Sequence, residues 1–263
     1  MRSAGAVFLF ISLLAAPVPA RAGAWTQNKG DWFVISSFDL TRAGKGFDDS
    51  GDADAPVKFN KSYMKNLIEY GWSDRLTLFA VTDYVVADAR WAQETPIHAR
   101  DASAEAGLRY RVTDRFGVWS VQASYKAAGP FDLSNSIEPD PARIEEVRLL
   151  YGAGFKLFGL DGFGDIEAAQ RWITHPRPDE TAIDLTAGLW LGPKTMVMLQ
   201  NFNIVSAGDA RPPYGYFRTH KLELSLVRRL TERWAVQLGG FISPAGQNSL
   251  VEQGVSISLW TRF

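Results

Sequence analysis

The chain alternates apolar and polar residues over many short segments, and the segment from Gly254 to Phe263 shows the pattern most plainly. Its odd positions, beginning at Val255, are mostly apolar, and its even positions, beginning at Ser256, are more polar. A period of two is the period of a β-strand, in which successive side chains point to opposite faces. This segment therefore predicts a strand with one apolar and one polar face.

Similar segments recur along the chain, separated alternately by tight turns and by longer polar connections. Three tight turns combine Ser or Thr, an acid and Arg, and their hydroxyl and carboxylate groups can stabilise the turn by hydrogen bonds to the local backbone. Two other turns use Gly and Pro. The five turns lie at 70–76, 110–116, 160–164, 192–194 and 229–234. The six longer connections lie at 42–56, 89–101, 129–142, 174–180, 206–218 and 243–249. Together they join about twelve strands, with both ends of the chain on the side of the turns.

The first residues have a different composition. Arg2 precedes an apolar run over residues 6–16, which is followed by a small-x-small sequence ending at Ala22. This order is typical of a secretory signal peptide, whereas a membrane-anchoring helix needs about 20 apolar residues. We predict that residues 1–22 are a signal peptide cleaved near Ala22, and that residues 23–263 form the barrel.

No later segment has such an apolar run. Only helices and closed barrels pair every backbone polar group within lipid. The sequence therefore predicts an all-β fold, a transmembrane antiparallel up-and-down β-barrel of about 12 strands with short periplasmic turns and longer outer loops. A soluble β-sandwich or lipocalin-like barrel would also alternate, with its apolar side inward. Aromatic residues beside the turns favour the membrane barrel, because they match an interfacial girdle: Tyr70, Trp72, Tyr110, Phe116, Phe158, Trp234 and Phe263.

Composition narrows the choice of partners. The chain has 263 residues, no Cys and a formal net charge of -1, so it is long enough for one large domain and has no structural disulfides. The near-neutral charge gives no reason to expect a nucleic-acid partner, which favours a strongly basic surface.

Candidate catalytic chemistry is weak. A nucleophilic site needs a base within hydrogen-bond reach of a Ser, and the histidines are His98, His175 and His220. Ser225, the Ser nearest to His220, is an odd number of residues away and so lies on the opposite face of a strand. Barrel phospholipases and lipid A deacylases pair His and Ser two residues apart, and this chain has no such pair. We predict that the protein is not an enzyme; a lipid-modifying barrel enzyme is the less favoured alternative.

An acidic cluster in the first long connection could hold Ca²⁺ through carboxylate oxygens. It consists of Asp48, Asp49, Asp52 and Asp54. The spacing lacks the Asp-x-Asp-x-Asp-Gly order with a later Glu, so a solvated loop is the favoured interpretation. We predict no metal and no cofactor.

The polar faces of the strands predict the lining of the lumen. A barrel of about twelve strands is wider than the eight-stranded barrels that side chains fill and narrower than a 16-stranded porin. A lining of mixed charge fits either a network that plugs the lumen or a polar wall for a solute, and unpaired buried charges are costly in both cases. The predicted lining residues are Lys61, Lys65, Asp83, Glu105, Arg109, Arg111, Lys126, Glu146, Arg148, Lys156, Glu167, Arg171, Asp184, Trp190, Lys221, Glu223, Arg229 and Trp260.

Two of these cations lie unusually close together. Arg109 and Arg111 are two residues apart on one strand, so both point into the lumen. Like charges at this spacing repel each other unless carboxylates intervene. Glu105 lies on the same face, and we predict that carboxylates from neighbouring strands, Asp83 among the candidates, complete the pairing.

Parts of the chain resemble three groups of known proteins. The last strand resembles the closing strand of bacterial outer-membrane β-barrels, which implies that Phe263 is an assembly signal read by the barrel-insertion machinery. The stretches Gly23-Ala-Trp-Thr-Gln, Gly30-Asp-Trp-Phe-Val and Gly46-Phe47 are similar to proteobacterial outer-membrane proteins associated with biofilm exopolysaccharide. The Thr-Asp-Arg turns resemble the wider phenol-degradation-pathway (MetA-type) transporter-like barrels.

These resemblances imply a function in the outer membrane of a Gram-negative envelope. The expected role is a passive conduit for exopolysaccharide export or for another hydrophilic solute. The alternative is a plugged barrel that serves as a structural or assembly partner of an export complex. The expected partners are outer-membrane lipids and lipopolysaccharide, the barrel-insertion machinery, and a polysaccharide or small hydrophilic solute.

Overall fold

The computed structural model describes residues 23–91, 97–128, 143–211 and 214–263, and these residues form a closed antiparallel barrel. The predicted signal peptide and the predicted connection at 129–142 lie outside the described residues. In the described part of the chain, no helix is long and apolar enough to cross a membrane.

The described residues contain thirteen strands. Their bounds are β1 Trp32–Phe47, β2 Ala55–Ser73, β3 Leu76–Trp91, β4 Ile97–Thr113, β5 Val118–Ala128, β6 Ile144–Leu157, β7 Leu160–Ile173, β8 Glu180–Trp190, β9 Thr195–Ser206, β10 Arg218–Arg229, β11 Trp234–Gln247, β12 Ser249–Leu250 and β13 Gln253–Arg262. The two-residue β12 pairs with the end of β1. The other twelve strands form the ring, in which β13 pairs with both β11 and β1. The all-β fold and the twelve-stranded antiparallel barrel are therefore confirmed.

The two ends of the barrel differ. Short turns follow β2, β4, β6, β8 and β10, and we call this side the turn end; the opposite side is the loop end. The first and last long strands meet at the turn end, where the backbone N–H of Trp32 donates to Phe263 and that of Phe263 donates to Trp32, at 3.2 and 3.1 Å. Both ends of the ring therefore lie on the side of the turns, as expected.

The strands reach further toward the loop end than the sequence predicted. β1 continues to Phe47 and β11 to Gln247, so the connections predicted at 42–56 and 243–249 are shorter than expected. Pairing with neighbouring strands causes this extra length, because Gly46 pairs with Ala55 on one side and with Leu250 on the other. A residue with low strand propensity is held in a ladder when both neighbouring strands are present.

The alternation separates an apolar outer face from a more polar interior. Large apolar side chains such as Leu224 and Val255 are exposed on the outside, whereas Ser225 and Ser256, one position along, are buried. Buried side chains also give the inward faces of β2 and β9. Glu69 on β2 and Met196 and Met198 on β9 are buried. Lys61, Lys65 and Gln200 lie an even number of residues from them and therefore share the inward face.

An apolar cluster fills part of the interior near the turn end. Its buried members are Phe33, Phe163, Met196, Met198, Val227, Ala235 and Trp260. Trp25, which precedes β1, packs against this cluster, and its ring meets that of Phe163 edge to face at 5.9 Å between centroids. The interior is therefore not polar along its whole length, and this part of the lumen is packed like a protein core.

Candidate functional site: the barrel lumen

A segment before the first strand occupies the turn end of the lumen. Residues 23–29, which we call the strap, are not part of any strand, and Ala24, Thr26 and Gln27 are buried. The strap contacts successive strands from β2 to β7. Its hydrogen bonds include Gln27 Nε2 to Glu69 (2.6 Å), Gln27 N to Thr77 (2.8 Å), Thr26 Oγ1 to the Asp74 carbonyl (2.9 Å), Arg109 Nη1 to the Trp25 carbonyl (3.1 Å) and Ser120 Oγ to the Ala24 carbonyl (2.5 Å).

Two glycines of the barrel wall allow the strap to approach closely. A Cβ on Gly71 would lie 1.8 Å from the carbonyl oxygen of Asn28. A Cβ on Gly152 would lie 2.6 Å from the Trp25 ring and 3.1 Å from the Cβ of Ala24. Because real Cβ atoms do not approach other atoms this closely, the strap fits this wall only where side chains are missing.

Substituting Gly152 tests this fit. We expect Gly152→Ala to displace the Trp25 ring and to lower the free energy of unfolding by about 1–3 kcal/mol, the usual cost of overpacking. Gly154→Ala is the matched control, because a Cβ at Gly154 meets its nearest atom only at 3.8 Å. Urea unfolding followed by gel mobility provides the comparison. Equal midpoints for the two variants would show that Trp25 does not pack against Gly152.

One buried ion pair lies beside the strap. Arg109 Nη1 is 3.0 Å from Glu69 Oε1, and the side chains of these residues are only 8% and 2% exposed. Arg109 Nε also donates to Gln122 at 3.1 Å. The carboxylate that balances Arg109 is thus Glu69, and not Asp83 as the sequence suggested. Glu69 and Arg109 lie on β2 and β4, so their side chains meet across the intervening β3.

Asp83 belongs to another group of polar side chains. Its carboxylate lies 2.5 Å from Lys126 Nζ and accepts hydrogen bonds from Tyr63 (2.6 Å) and Ser103 (3.3 Å). On β2, Lys65 is the backbone partner of Asp83. On β4, Glu105 is the backbone partner of Lys126, which lies on β5. Charges of both signs therefore lie side by side on this wall.

The densest network lies on β6, β7 and β8. The guanidinium of Arg148 contacts Glu146, Glu167 and Asp184, at 2.8, 2.6 and 2.7 Å. A second cation, Arg171, contacts Glu146 at 2.7 Å and Glu180 at 3.2 Å. Two cations thus face four carboxylates, and this wall carries a formal excess of negative charge.

The lysines near the loop end are more accessible to water. Lys61 lies 2.9 Å from Glu252, and Lys221 lies 3.6 Å from the same carboxylate and 4.1 Å from the centre of the Phe241 ring. The side chains of Lys61, Lys126 and Lys221 are 24%, 30% and 29% exposed although they point inward. Glu223 accepts a hydrogen bond from Ser256 at 2.8 Å. The loop half of the lumen therefore contains space that water can occupy, in contrast to the region around Glu69.

Three predicted lining residues lie at the rim of the turn end rather than deep in the lumen. Lys156 is 55% exposed and pairs with Asp161 at 2.9 Å. Arg111 donates to the backbone carbonyl of Asp74 at 2.8 Å, an exposed contact. Arg229 stacks over the Trp190 ring at 4.1 Å. These positions follow from the inward register, because residues near a strand end point toward the mouth and not toward the middle of the lumen.

A cavity of about 690 Å³ opens at the turn end, beside the apolar cluster. Aromatic and cationic side chains line it together, among them Phe33, Trp190, Trp260, Arg229 and Arg262. The strap contacts β2 to β7, whereas this cavity adjoins β1, β8, β10, β11 and β13. The turn end is thus closed on one side by the strap and indented on the other by an aromatic cavity.

Two of the described histidines each contact a polar side chain on a neighbouring strand. His98 Nδ1 contacts Asp88, and His220 Nδ1 contacts Asn203 at 2.7 Å. Within the described ranges, no group of three or more His, Asp or Glu side chains is placed to hold a metal ion. The Asp48 carboxylate accepts hydrogen bonds from the backbone N–H groups of Ser50 and Asp52, both at 2.8 Å, and so stabilises its own loop.

The predicted lining did not include the strap or the buried carboxylates of Glu69 and Asp165. Glu69 and Asp165 are 2% and 5% exposed. Both share their inward register with predicted lining residues, Lys65 on β2 and Glu167 on β7, so the period of two was sufficient to find them. The strap has no such signal, because residues 23–29 do not alternate.

Comparisons with known proteins identify the fold. The chain matches no protein-family model and no curated protein. It is similar in structure to an outer-membrane channel from Pseudomonas putida F1, with a TM-score of 0.66, 13% identity, and coverage of 95% of this chain and 100% of the channel. The β-domain of the Bordetella autotransporter Brka gives a TM-score of 0.56 at 10% identity, covering 90% of this chain and 100% of that domain. The translocator domain of the autotransporter NalP from Neisseria meningitidis gives 0.54 at 11% identity, covering 90% of each. The chain therefore has the fold of outer-membrane β-barrels.

Proposed function

We propose that this protein is a passive outer-membrane conduit for hydrophilic solutes. The observation that carries the proposal is the partial exposure of three inward-pointing side chains in the loop half of the lumen, those of Lys61, Lys126 and Lys221. A charged side chain that faces the interior of a closed barrel meets water only if the lumen holds water. The similar Pseudomonas putida protein is an outer-membrane channel, which supports the same function.

In this proposal the turn end faces the periplasm and the loop end faces outside. Outer-membrane barrels have short periplasmic turns and longer outer loops. The exposed aromatic residues near the turns, including Trp72, Tyr110 and Trp234, would lie at the inner interface of the membrane. The strap and the apolar cluster then form the narrow periplasmic part of the conduit.

Polysaccharide is the cargo that we favour. The cavity at the turn end presents the aromatic rings of Trp190, Trp260 and Phe33 together with the guanidiniums of Arg229 and Arg262. Sugar rings stack on aromatic faces, and guanidiniums hydrogen-bond to carboxylates in pairs. An acidic polysaccharide fits this surface better than a neutral apolar solute, and this preference agrees with the exopolysaccharide resemblance of the first residues.

Planar bilayers test the conduit directly. The purified protein should give discrete channels, and an acidic oligosaccharide added on the turn side should reduce the current more than a neutral one of equal length. Trp190→Ala should weaken that block without abolishing conductance. Channels that acidic and neutral oligosaccharides affect equally would overturn the choice of cargo and leave the conduit in place.

A second function is favoured by a different observation. The buried Arg109–Glu69 pair and the apolar cluster fill much of the turn half, as expected of a plugged barrel that acts as a structural partner in an export complex. The same bilayer experiment separates the two functions, because a plugged barrel gives no channels in pure preparations.

We also propose that Phe263 is the assembly signal read by the insertion machinery. Its backbone exchanges two hydrogen bonds with Trp32 where the barrel closes, and its side chain is exposed on the outside. Deleting Phe263 should lower the fraction of heat-modifiable, folded protein in outer membranes, because the closing pair loses two bonds worth about 1 kcal/mol each. Phe263→Tyr, which keeps the backbone and the ring, should assemble normally. Equal assembly of the deletion would exclude this role.

A further inference from the structure

The carboxylate of Asp165 differs from the carboxylates of Glu69 and Glu146, which are also buried in the described part of the lumen. Asp165 points inward from β7 and is only 5% exposed. Its Oδ1 accepts no hydrogen bond from any residue that the structure describes. Glu69 and Glu146, which are buried to a similar degree, each contact a guanidinium. A buried carboxylate without a compensating partner is strongly unfavourable, so a donor of positive charge is expected here.

Gly23 lies directly against this carboxylate. A Cβ built on Gly23 would be 2.7 Å from Cγ of Asp165 and 2.8 and 2.9 Å from its two oxygens. The φ angle of Gly23 is +79°, a conformation that residues with a Cβ rarely adopt. Glycine is therefore suited to this position both for space and for backbone conformation, and its main chain is in contact with the acid.

The strap fixes Gly23 at this place. The next two carbonyl groups, of Ala24 and Trp25, accept hydrogen bonds from Ser120 and Arg109. The Trp25 ring packs over Gly152, which is the backbone partner of Asp165 on β6. The contact between Gly23 and Asp165 is thus the last of a series that ties the strap to the barrel wall.

We propose that signal-peptide cleavage after Ala22 creates the missing partner of Asp165, the α-ammonium of Gly23. Hydrolysis of the Ala22–Gly23 peptide bond consumes one water, leaves a carboxylate on Ala22 and gives Gly23 an amine that takes up a proton. An α-amino group is protonated at neutral pH and carries three N–H donors, whereas the peptide nitrogen of the precursor carries one and no charge. The ion pair fastens the end of the strap to β7. This inference rests on the predicted cleavage site and is independent of whether the barrel conducts.

The pair links processing of the chain to the fastening of the strap inside the barrel. Before cleavage, the strap can make its hydrogen bonds to Ser120 and Arg109, but Asp165 has no cation in contact with it among the residues that the structure describes. After cleavage, the new ammonium satisfies the carboxylate and opposes any movement of the strap out of the lumen. The ion pair would therefore hold the strap in its place in the turn half of the processed chain.

Chemical labelling of the mature protein tests the proposal. The protein is extracted in native form from outer membranes, its first residue is found by intact mass, and it is treated with a reagent selective for α-amines. We expect a chain that begins at Gly23 and whose amine reacts slowly while the barrel is folded. Asp165→Asn should raise that rate roughly tenfold or more, because loss of a buried pair lowers the free energy of local opening.

Asp161→Asn is the matched control, since Asp161 lies on the same strand and the same side but pairs with the exposed Lys156. It should leave the labelling rate unchanged. If Asp165→Asn does not fold, one Gly inserted before Gly23 moves the ammonium along the chain and should expose it in the same way. A mature chain that begins elsewhere, or equal labelling rates in the wild type and in the variant that was tested, would overturn the proposal.

Discussion

Arg148→Met should be among the most destabilising single substitutions in the barrel. The Arg148 side chain is 9% exposed and contacts three carboxylates, of Glu146, Glu167 and Asp184. Without it, Glu146 keeps Arg171, but the other two carboxylates have lost the cation that balances them. Removing one partner of a buried ion pair costs about 3–5 kcal/mol, because the remaining charge is left in a poorly solvating site.

Lys156→Met is the control on the same strand and in the same inward register. Lys156 and Asp161 are 55% and 47% exposed, so water solvates either charge when the other is removed. Such a pair contributes roughly 0–1 kcal/mol. Unfolding free energies measured in the same detergent compare the two variants. A loss for Arg148→Met as small as that for Lys156→Met would mean that water fills the β6–β8 side of the lumen.

The second large effect is expected at Arg109. Glu69 is 2% exposed, and after Arg109→Met its remaining donor among the described contacts is the amide of Gln27. The strap also loses the hydrogen bond from Arg109 to the Trp25 carbonyl. We expect a loss of about 3–5 kcal/mol in the free energy of unfolding, measured by urea titration.

Two further variants identify the cause of that loss. Arg111→Met removes an equal charge two residues along, where the side chain reaches an exposed carbonyl at the rim, and should cost roughly 0–1 kcal/mol. Adding Glu69→Gln to Arg109→Met should recover much of the stability, since the neutral amide removes the unpaired charge. If the double variant is no more stable than the single one, the pair is not the source of the effect.

The strands of this barrel could be predicted because each strand shows the alternation of apolar and polar residues in its own sequence. Leu222, Leu224 and Leu226 alternate with polar residues on β10, and this period of two requires no knowledge of other strands. The lengths at the loop end could not be predicted in the same way. Gly46 is in a strand only because Ala55 and Leu250 pair with it, and this information lies outside the local sequence.

The choice of partners inside the lumen could not be predicted for a related reason. The alternation places Arg109 inward, but its backbone partner on β3 is Thr77, and the carboxylate it reaches is on β2. Likewise Arg148 on β6 reaches Asp184 on β8, two strands away. Long side chains cross a neighbouring strand where that strand presents small residues, so pairing depends on the relative shift of three strands.

The strap escaped prediction because its contacts are all non-local. Gln27 and Glu69 are 42 residues apart, and Ala24 and Ser120 are 96 residues apart. Within residues 23–29 neither a period of two nor a helical period is present. The glycines at 71 and 152 are equally uninformative in sequence, since their role appears only when the strap lies against them.

The most direct test of the account is the accessibility of single cysteines in the lumen, because the chain has no Cys of its own. Lys221→Cys and Val227→Cys place thiols on the same inward face of β10, at positions whose residues are 29% and 1% exposed. Leu226→Cys, on the outer face, serves as the lipid-facing control. In bilayers treated from the loop side with a charged, impermeant thiol reagent, a hydrated conduit narrowed at its turn end predicts fast reaction at position 221 and protection at position 227. A thiol at position 221 that is as unreactive as the one at 227 would contradict the conduit and show a barrel plugged along its whole length.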